Sequence, residues 1–133
     1  MPGVSDLLEA LEKRGATLGL ITGNLKSVSE VKLGDVDIWH YFTVGGFGND
    51  PHVTRGDLVK VAVDKAGFSE SLDDVCVVGD TPRDIAAAQE AGIKHTVGVS
   101  NGYKDIQELI DAGAEVVLED FRNTAFVLSK LSL

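Results

Sequence analysis

Leu7, Leu8 and Leu11 recur at helical spacing behind Ser5, a residue suited to cap a helix, and Gly15 supplies a stop. The chain is therefore expected to open with a short amphipathic helix. Five apolar runs then read as strands: Thr17 to Thr22, Phe42 to Phe47, Val75 to Asp80, His95 to Ser100 and Glu115 to Glu119. Most lack strict alternation, the pattern of strands covered on both faces of a parallel sheet. Helical patterns lie between them. Leu58, Val59, Ala62, Val63 and Ala66 share a face before Gly67, and Ile85, Ala88 and Ala91 do so before Gly92. Ile106, Leu109 and Ile110 precede Gly113, and 121–133 reads as a closing helix packed through Phe121, Phe126, Leu128 and Leu131. Strand and helix alternate without repeat or linker, which predicts one α/β domain over 1–133, built as an α/β/α sandwich with a mainly parallel sheet and right-handed crossovers.

Charge narrows the partners. With 21 acidic against 12 basic residues the formal charge is -9, which repels nucleic acid and anionic membrane surfaces. A phosphate site would have to rest on local N–H groups, a cation or a metal. The single cysteine, Cys76, lies in an apolar run and is expected to be a buried small hydrophobe; with no intramolecular disulfide available, the chain fits the cytoplasm. Neither an export signal nor a membrane-length apolar run is present.

In open parallel sheets ligands bind beyond the carboxyl ends of the strands, and two such ends stand out. The first continues into Thr22-Gly23-Asn24, which offers a hydroxyl, a pliable glycine and an amide to a phosphoryl oxygen, though the same tripeptide also makes an ordinary turn. The second reads Gly79-Asp80-Thr81-Pro82-Arg83-Asp84. Asp80 at a strand tip suits a hard cation such as Mg²⁺. Asp84 can serve the same ion, and also closes a capping box with Thr81 as N-cap and Pro82 as first helical residue.

Together these stretches resemble the haloacid dehalogenase superfamily, and the flanks Pro2-Gly3-Val4, Gly45-Gly46-Phe47-Gly48 and Val97-Gly98-Val99 are similar to its phosphoglycolate-phosphatase-like branch. The resemblance implies a Rossmann-like core that hydrolyses phosphate monoesters. Thr22, Gly23, Asn24 and Arg55 would bind the phosphoryl group, with Thr22 and Arg55 stabilising charge, and Asp80 and Asp84 would hold Mg²⁺. It also implies a nucleophilic aspartate in an Asp-x-Asp motif after a first strand, and a helical cap that selects the substrate. Neither is found in these residues. The only Asp-x-Asp, Asp35-Val36-Asp37, follows Gly34 and is expected to be a loop. The chain is thus expected to be catalytically incomplete.

In the family the first-motif strand lies centrally, between the strands ending here at Thr22 and Asp80. Without it, the gap is expected to close into a flavodoxin-like order 2-1-3-4-5, with a strand donated by a partner chain as the rival solution. Two other readings compete. One is a non-catalytic module that binds phosphate, metal or a protein. The other is a receiver-like domain with Asp80 as phosphoacceptor, which Asn24 and Leu25 disfavour because they supply no acidic pair. A small phosphorylated molecule and a homo-oligomeric contact are the expected partners. His40, His52 and His95 lack ligand spacing and read as structural or surface groups, and Trp39, Tyr41 and Phe42 read as anchors of the core edge.

Overall fold

A computed structural model describes residues 3–100 and 106–131. Leu133 and Pro2, which figure in the expectations above, lie outside that range. Leu7, Leu8 and Leu11 form helix α1 (Val4–Lys13) and all three are buried. Its N-cap is Gly3 rather than Ser5: the first helical bond runs from Leu7 N–H to Gly3 C=O at 3.1 Å. Gly3 has φ 82°, and a Cβ there would lie 2.3 Å from the Phe121 carbonyl oxygen. A distant backbone contact thus sets the helix start, which no local signal reports. At the other end Gly15 (φ 78°) donates to Glu12 C=O, the expected stop.

Each expected strand forms, as β1 (Gly19–Ile21), β2 (Val44–Gly46), β3 (Cys76–Gly79), β4 (His95–Val99) and β5 (Val116–Leu118). The helices between them are α2 (Lys26–Asp35), α3 (Arg55–Ala66), α4 (Pro82–Glu90), α5 (Ile106–Asp111) and α6 (Thr124–Lys130). Helix α2 was unsignalled because it has no apolar stripe; only Ser29 is buried, while Val28 and Val31 are exposed. Asp35 ends it and Asp37, at φ 58°, turns the chain, so Asp35-Val36-Asp37 does not follow a strand. Helix α6 is shorter than expected and is capped by Asn123, whose side chain accepts from Phe126 N–H. Phe126 is half exposed beneath the Lys130 ammonium, and Val127 takes the core position beside Leu128.

Among the described residues all strand pairing is parallel, but it falls into two sheets, β1-β2 and β3-β4-β5. The expected 2-1-3-4-5 closure does not form, since β1 and β3 are not paired. Helices hold the two sheets instead. On one face Val59 and Val63 of α3 meet Ala87 and Ala88 of α4 and Ala91 at its C-cap, with Ile21 packed against this cluster from one sheet and Val77 from the other. On the opposite face Leu7 and Leu11 of α1 and Val127 and Leu128 of α6 cover Val97, Val99 and Leu118, with Leu18 at the margin. Bringing β1 onto β3 would force both layers to repack. The approach of α3 to β2 is already tight, as a Cβ on Gly46 would lie 2.0 Å from Leu58 C=O.

The open edges leave their mark on exposure. Val78 is 44% exposed, and Cys76, two residues earlier on the same face, is exposed rather than buried. Although the residue is open, desolvation of its sulfur and then the Glu115 carboxylate push the Cys76 thiol up to about 11. The residue is exposed but its sulfur is partly desolvated, so the reactive thiolate is scarce at neutral pH. Among the described residues no helix is long and apolar enough to cross a membrane.

Beyond β2 the chain is clipped back to the end of α3. The Asp50 carboxylate accepts from Phe47 N–H at 2.8 Å and from Lys65 Nζ at 3.1 Å, and the same ammonium donates to Gly45 C=O at 3.1 Å. The Phe47 N–H bond and then Lys65 hold the Asp50 carboxyl below its ordinary range. A carboxyl depressed by folding contributes stability above the unfolded value, and that contribution is lost as pH falls. The melting temperature is therefore expected to drop as pH is lowered through about 4. Asp50→Asn should melt lower at pH 7 and respond less steeply to acid, which calorimetry from pH 7 to 3 measures. For Cys76, the rate of modification by a thiol reagent should still be climbing at pH 9; a plateau below pH 8 would contradict the raised pKa.

Candidate active site

β1 ends in a turn locked to the loop after β2. Thr22 N–H donates to Gly46 C=O at 3.0 Å, and Asn24 N–H donates to Thr22 Oγ1 at 3.1 Å. Because that oxygen accepts through a lone pair, the hydroxyl hydrogen remains to donate to a ligand. Gly48 N–H then donates to Asn24 C=O at 2.8 Å, and Lys26 N–H to Asn49 Oδ1 at 3.0 Å. The approach is so close that a Cβ on Gly48 would lie 2.1 Å from the Gly23 carbonyl oxygen. Gly48 and Asn49 therefore shape the Thr22-Gly23-Asn24 turn from the loop after the neighbouring strand. Sequence reasoning used Gly48 only as a flank and missed Asn49, because the contact spans 23 residues.

β3 ends in the other half. Thr81 caps α4 with Pro82 in the first turn, and the expected capping box is complete: Asp84 N–H donates to Thr81 Oγ1, and Asp84 Oδ2 accepts from Thr81 N–H at 3.2 Å. The same oxygen accepts from Asp80 N–H at 3.2 Å and from the Thr81 hydroxyl at 3.0 Å. Its partner Oδ1 faces Arg55 Nη2 at 3.3 Å. As placed, both Asp84 oxygens are engaged, so it works as the organiser of the turn. Gly79 is what lets the carboxylate fold back, since a Cβ there would lie 2.2 Å from Asp84 Cβ. The Asp80 carboxylate, half-buried at the strand tip, has no side-chain partner among the described residues.

Arg55 begins α3, and its neighbour Thr54 makes a second capping box with Asp57. N–H groups of Val53 and Thr54 hold the Asp57 carboxyl below its ordinary range. The Thr54 hydroxyl donates to Glu90 Oε1 at 2.8 Å, tying the start of α3 to α4. Arg55 and Asp84 thus meet across the α3–α4 contact and bring the loops after β2 and β3 to one rim. The pair is partly exposed (43% and 18%), a setting in which ion pairs contribute about 0–1 kcal/mol, so its effect is on position more than stability.

The structure therefore joins Arg55 to Asp84 and Asp84 to the Asp80 backbone, and it places Thr22-Gly23-Asn24 at the tip of the other sheet. Arg55, Arg83, Ala86, Ala87 and Glu90 line a shallow depression of about 360 Å³ that runs along α4 and takes in none of the strand-tip residues. Arg83 and Glu90 were not singled out from sequence, where they look like two ordinary charges on an exposed helix face. Among the described residues no group of three or more His, Cys, Asp or Glu side chains converges as a metal cage. His95 meets Glu115 at 3.1 Å and His40 lies 3.8 Å from Asp37, while His52 bonds the Asp50 carbonyl, all as structural or surface groups. Trp39 packs against Phe47, with ring centroids 6.1 Å apart, at the edge of the core.

Comparison with known proteins identifies the family. The phosphoglycolate phosphatase of Aliivibrio fischeri is 30% identical over 96% of this chain and 56% of its own length. That of Synechococcus elongatus is 31% identical over 89% of this chain and 54% of its own length. The chain spans about half the length of these curated relatives. A hydrolase from Pseudomonas syringae, known from its crystal structure, superposes with a TM-score of 0.82 at 27% identity, covering 98% of this chain and 62% of that one. The family described as "Haloacid dehalogenase-like hydrolase" matches residues 1–98. The chain belongs to the haloacid dehalogenase-like hydrolases, in the branch similar to phosphoglycolate phosphatases.

Proposed function

We propose that these residues form the charge-stabilising part of a phosphate monoester hydrolase site, and that the 133-residue chain has negligible turnover by itself. The observation that carries the reading is the Arg55–Asp84–Asp80 linkage, which holds a guanidinium, a turn of N–H groups and an uncommitted carboxylate on one rim. The Thr22 hydroxyl, the Gly23 N–H, the Asn24 side-chain amide and Arg55 are donors suited to phosphoryl oxygens. For Mg²⁺ the fit is partial. Asp80 is a free carboxylate of the kind this ion takes together with substrate phosphate and water, whereas Asp84 would have to give up a bond. When bound, the ion would neutralise phosphate charge.

In the described residues Asp84 is engaged and Asp35 and Asp37 lie at the end of α2, which leaves Asp80 as the free carboxylate at the rim, the group assigned above to the ion rather than to attack. Loss of a nucleophile from a covalent mechanism lowers turnover by on the order of a million-fold. What remains would bind phosphate in a small phosphorylated molecule. A cytoplasmic setting suits such a substrate and accords with the lone cysteine.

The test pairs binding with turnover. Inorganic phosphate binding, followed by calorimetry with Mg²⁺ present, is expected to weaken at least about tenfold in Arg55→Ala, the cost of a charge-assisted hydrogen bond of roughly 1.5–3 kcal/mol. Hydrolysis of para-nitrophenyl phosphate should stay at background with or without Mg²⁺. Metal-dependent turnover that vanishes in Asp80→Asn would refute the incomplete site, and phosphate binding that ignores Arg55 would refute the phosphoryl site.

A further inference from the structure

We propose that Asp50 and Lys65 are positioning residues for the phosphoryl-binding turn, an ion pair away from the rim that acts on Thr22-Gly23-Asn24 through the loop at 47–50. This deepens the phosphoryl reading and rests on it, and the variants below let the two fail separately.

The loop is pliable by steric necessity. Gly46 and Gly48 have no room for a side chain, since a Cβ would lie 2.0 Å from the Leu58 carbonyl oxygen at one and 2.1 Å from that of Gly23 at the other. Glycine backbone has the widest conformational freedom, so order has to come from its neighbours. Asp50 closes the loop: its Oδ2 accepts from Phe47 N–H at 2.8 Å, and its own N–H donates to Phe47 C=O at 2.8 Å. Lys65, in the last turn of α3, then fixes it from outside by donating to Asp50 Oδ1 and to Gly45 C=O, both at 3.1 Å. One ammonium thus grips the chain where it enters the loop and where it leaves.

The loop passes this order on. Gly48 N–H donates to Asn24 C=O at 2.8 Å, and Asn49 Oδ1 accepts from Lys26 N–H at 3.0 Å, so the segment 24–26 is held at both ends. Asn24 N–H in turn donates to Thr22 Oγ1 at 3.1 Å, which constrains where the Thr22 hydroxyl can point its hydrogen. Hydrogen bonds and covalent neighbours therefore run unbroken from Lys65 Nζ to Thr22 Oγ1. Both Asp50 oxygens are engaged inside the loop, so its role toward a ligand is indirect.

The same helix begins with Arg55 at the rim. Both donor groups of the phosphoryl site are in this way referenced to one rigid element, α3: Arg55 directly at its start, and the Thr22 turn through Lys65 at its end. A plain stabilising role accounts for the pair less well. With side chains 45% and 16% exposed, an ion pair contributes little to stability, and Lys65 also spends a bond on a loop carbonyl.

The test titrates inorganic phosphate, with Mg²⁺ present, into the 133-residue chain and its variants by calorimetry. Lys65→Met and Asn49→Ala are each expected to weaken binding at least about threefold, and the double variant no more than the weaker single one, because both cut one path. Lys65→Arg, which keeps the charge, should bind close to the parent. Amide exchange separates positioning from general loosening: in Lys65→Met it should quicken at Asn24, Lys26 and Gly48 and stay at the parent rate at Asp84, in the other half of the site. The proposal is overturned if Arg55→Ala weakens phosphate binding while Lys65→Met leaves it unchanged, if the losses in Lys65→Met and Asn49→Ala add, or if exchange quickens equally in both halves. Phosphate binding indifferent to Arg55→Ala would instead overturn the phosphoryl reading, and this inference with it.

Discussion

The contact between α3 and α4 is what the rest of the molecule depends on, because no strand hydrogen bonding passes from β1 to β3. A continuous parallel sheet fixes the relation of its strands through the ladder. Here that task passes to Val59 and Val63 against Ala87, Ala88 and Ala91. Burying each valine contributes about 1.5–3 kcal/mol, a large share of the stability usual for one domain. The small alanines matter as much as the valines, since they let the helices approach closely enough for Thr54 to reach Glu90 and Arg55 to reach Asp84.

That geometry has a chemical consequence. Each half of the site is locally rigid, one through the clasp of Gly48 and Asn49 on Thr22-Gly23-Asn24, the other through the Asp84 capping box. Their relation to one another is set by side-chain packing, which yields more readily than a ladder.

Legibility in the sequence followed the range of the interactions. The Thr81–Asp84 box was readable because its donors and acceptors lie within four residues, and the five strands were readable because runs such as 95–100 and 75–80 are apolar beyond what a loop tolerates. The two halves of the site were likewise placed at strand tips from residues adjacent in the chain. What went unread was set at a distance: the α1 cap at Gly3 depends on Phe121, and the turn after β1 depends on Asn49. Cys76 and Val78 misled for the opposite reason. Their apolar run has the composition of a covered strand, and only the missing neighbour leaves that face open.

Amide hydrogen exchange of the free chain, resolved by residue, tests the central claim most directly. The account predicts slow exchange at Thr22, whose N–H is bonded to β2, and fast exchange at Gly19 and Ile21, whose N–H groups face the cleft. Protection at Gly19 and Ile21 equal to that at Thr22 would mean that the two sheets are joined, and the account built on helix packing across an open cleft would be wrong.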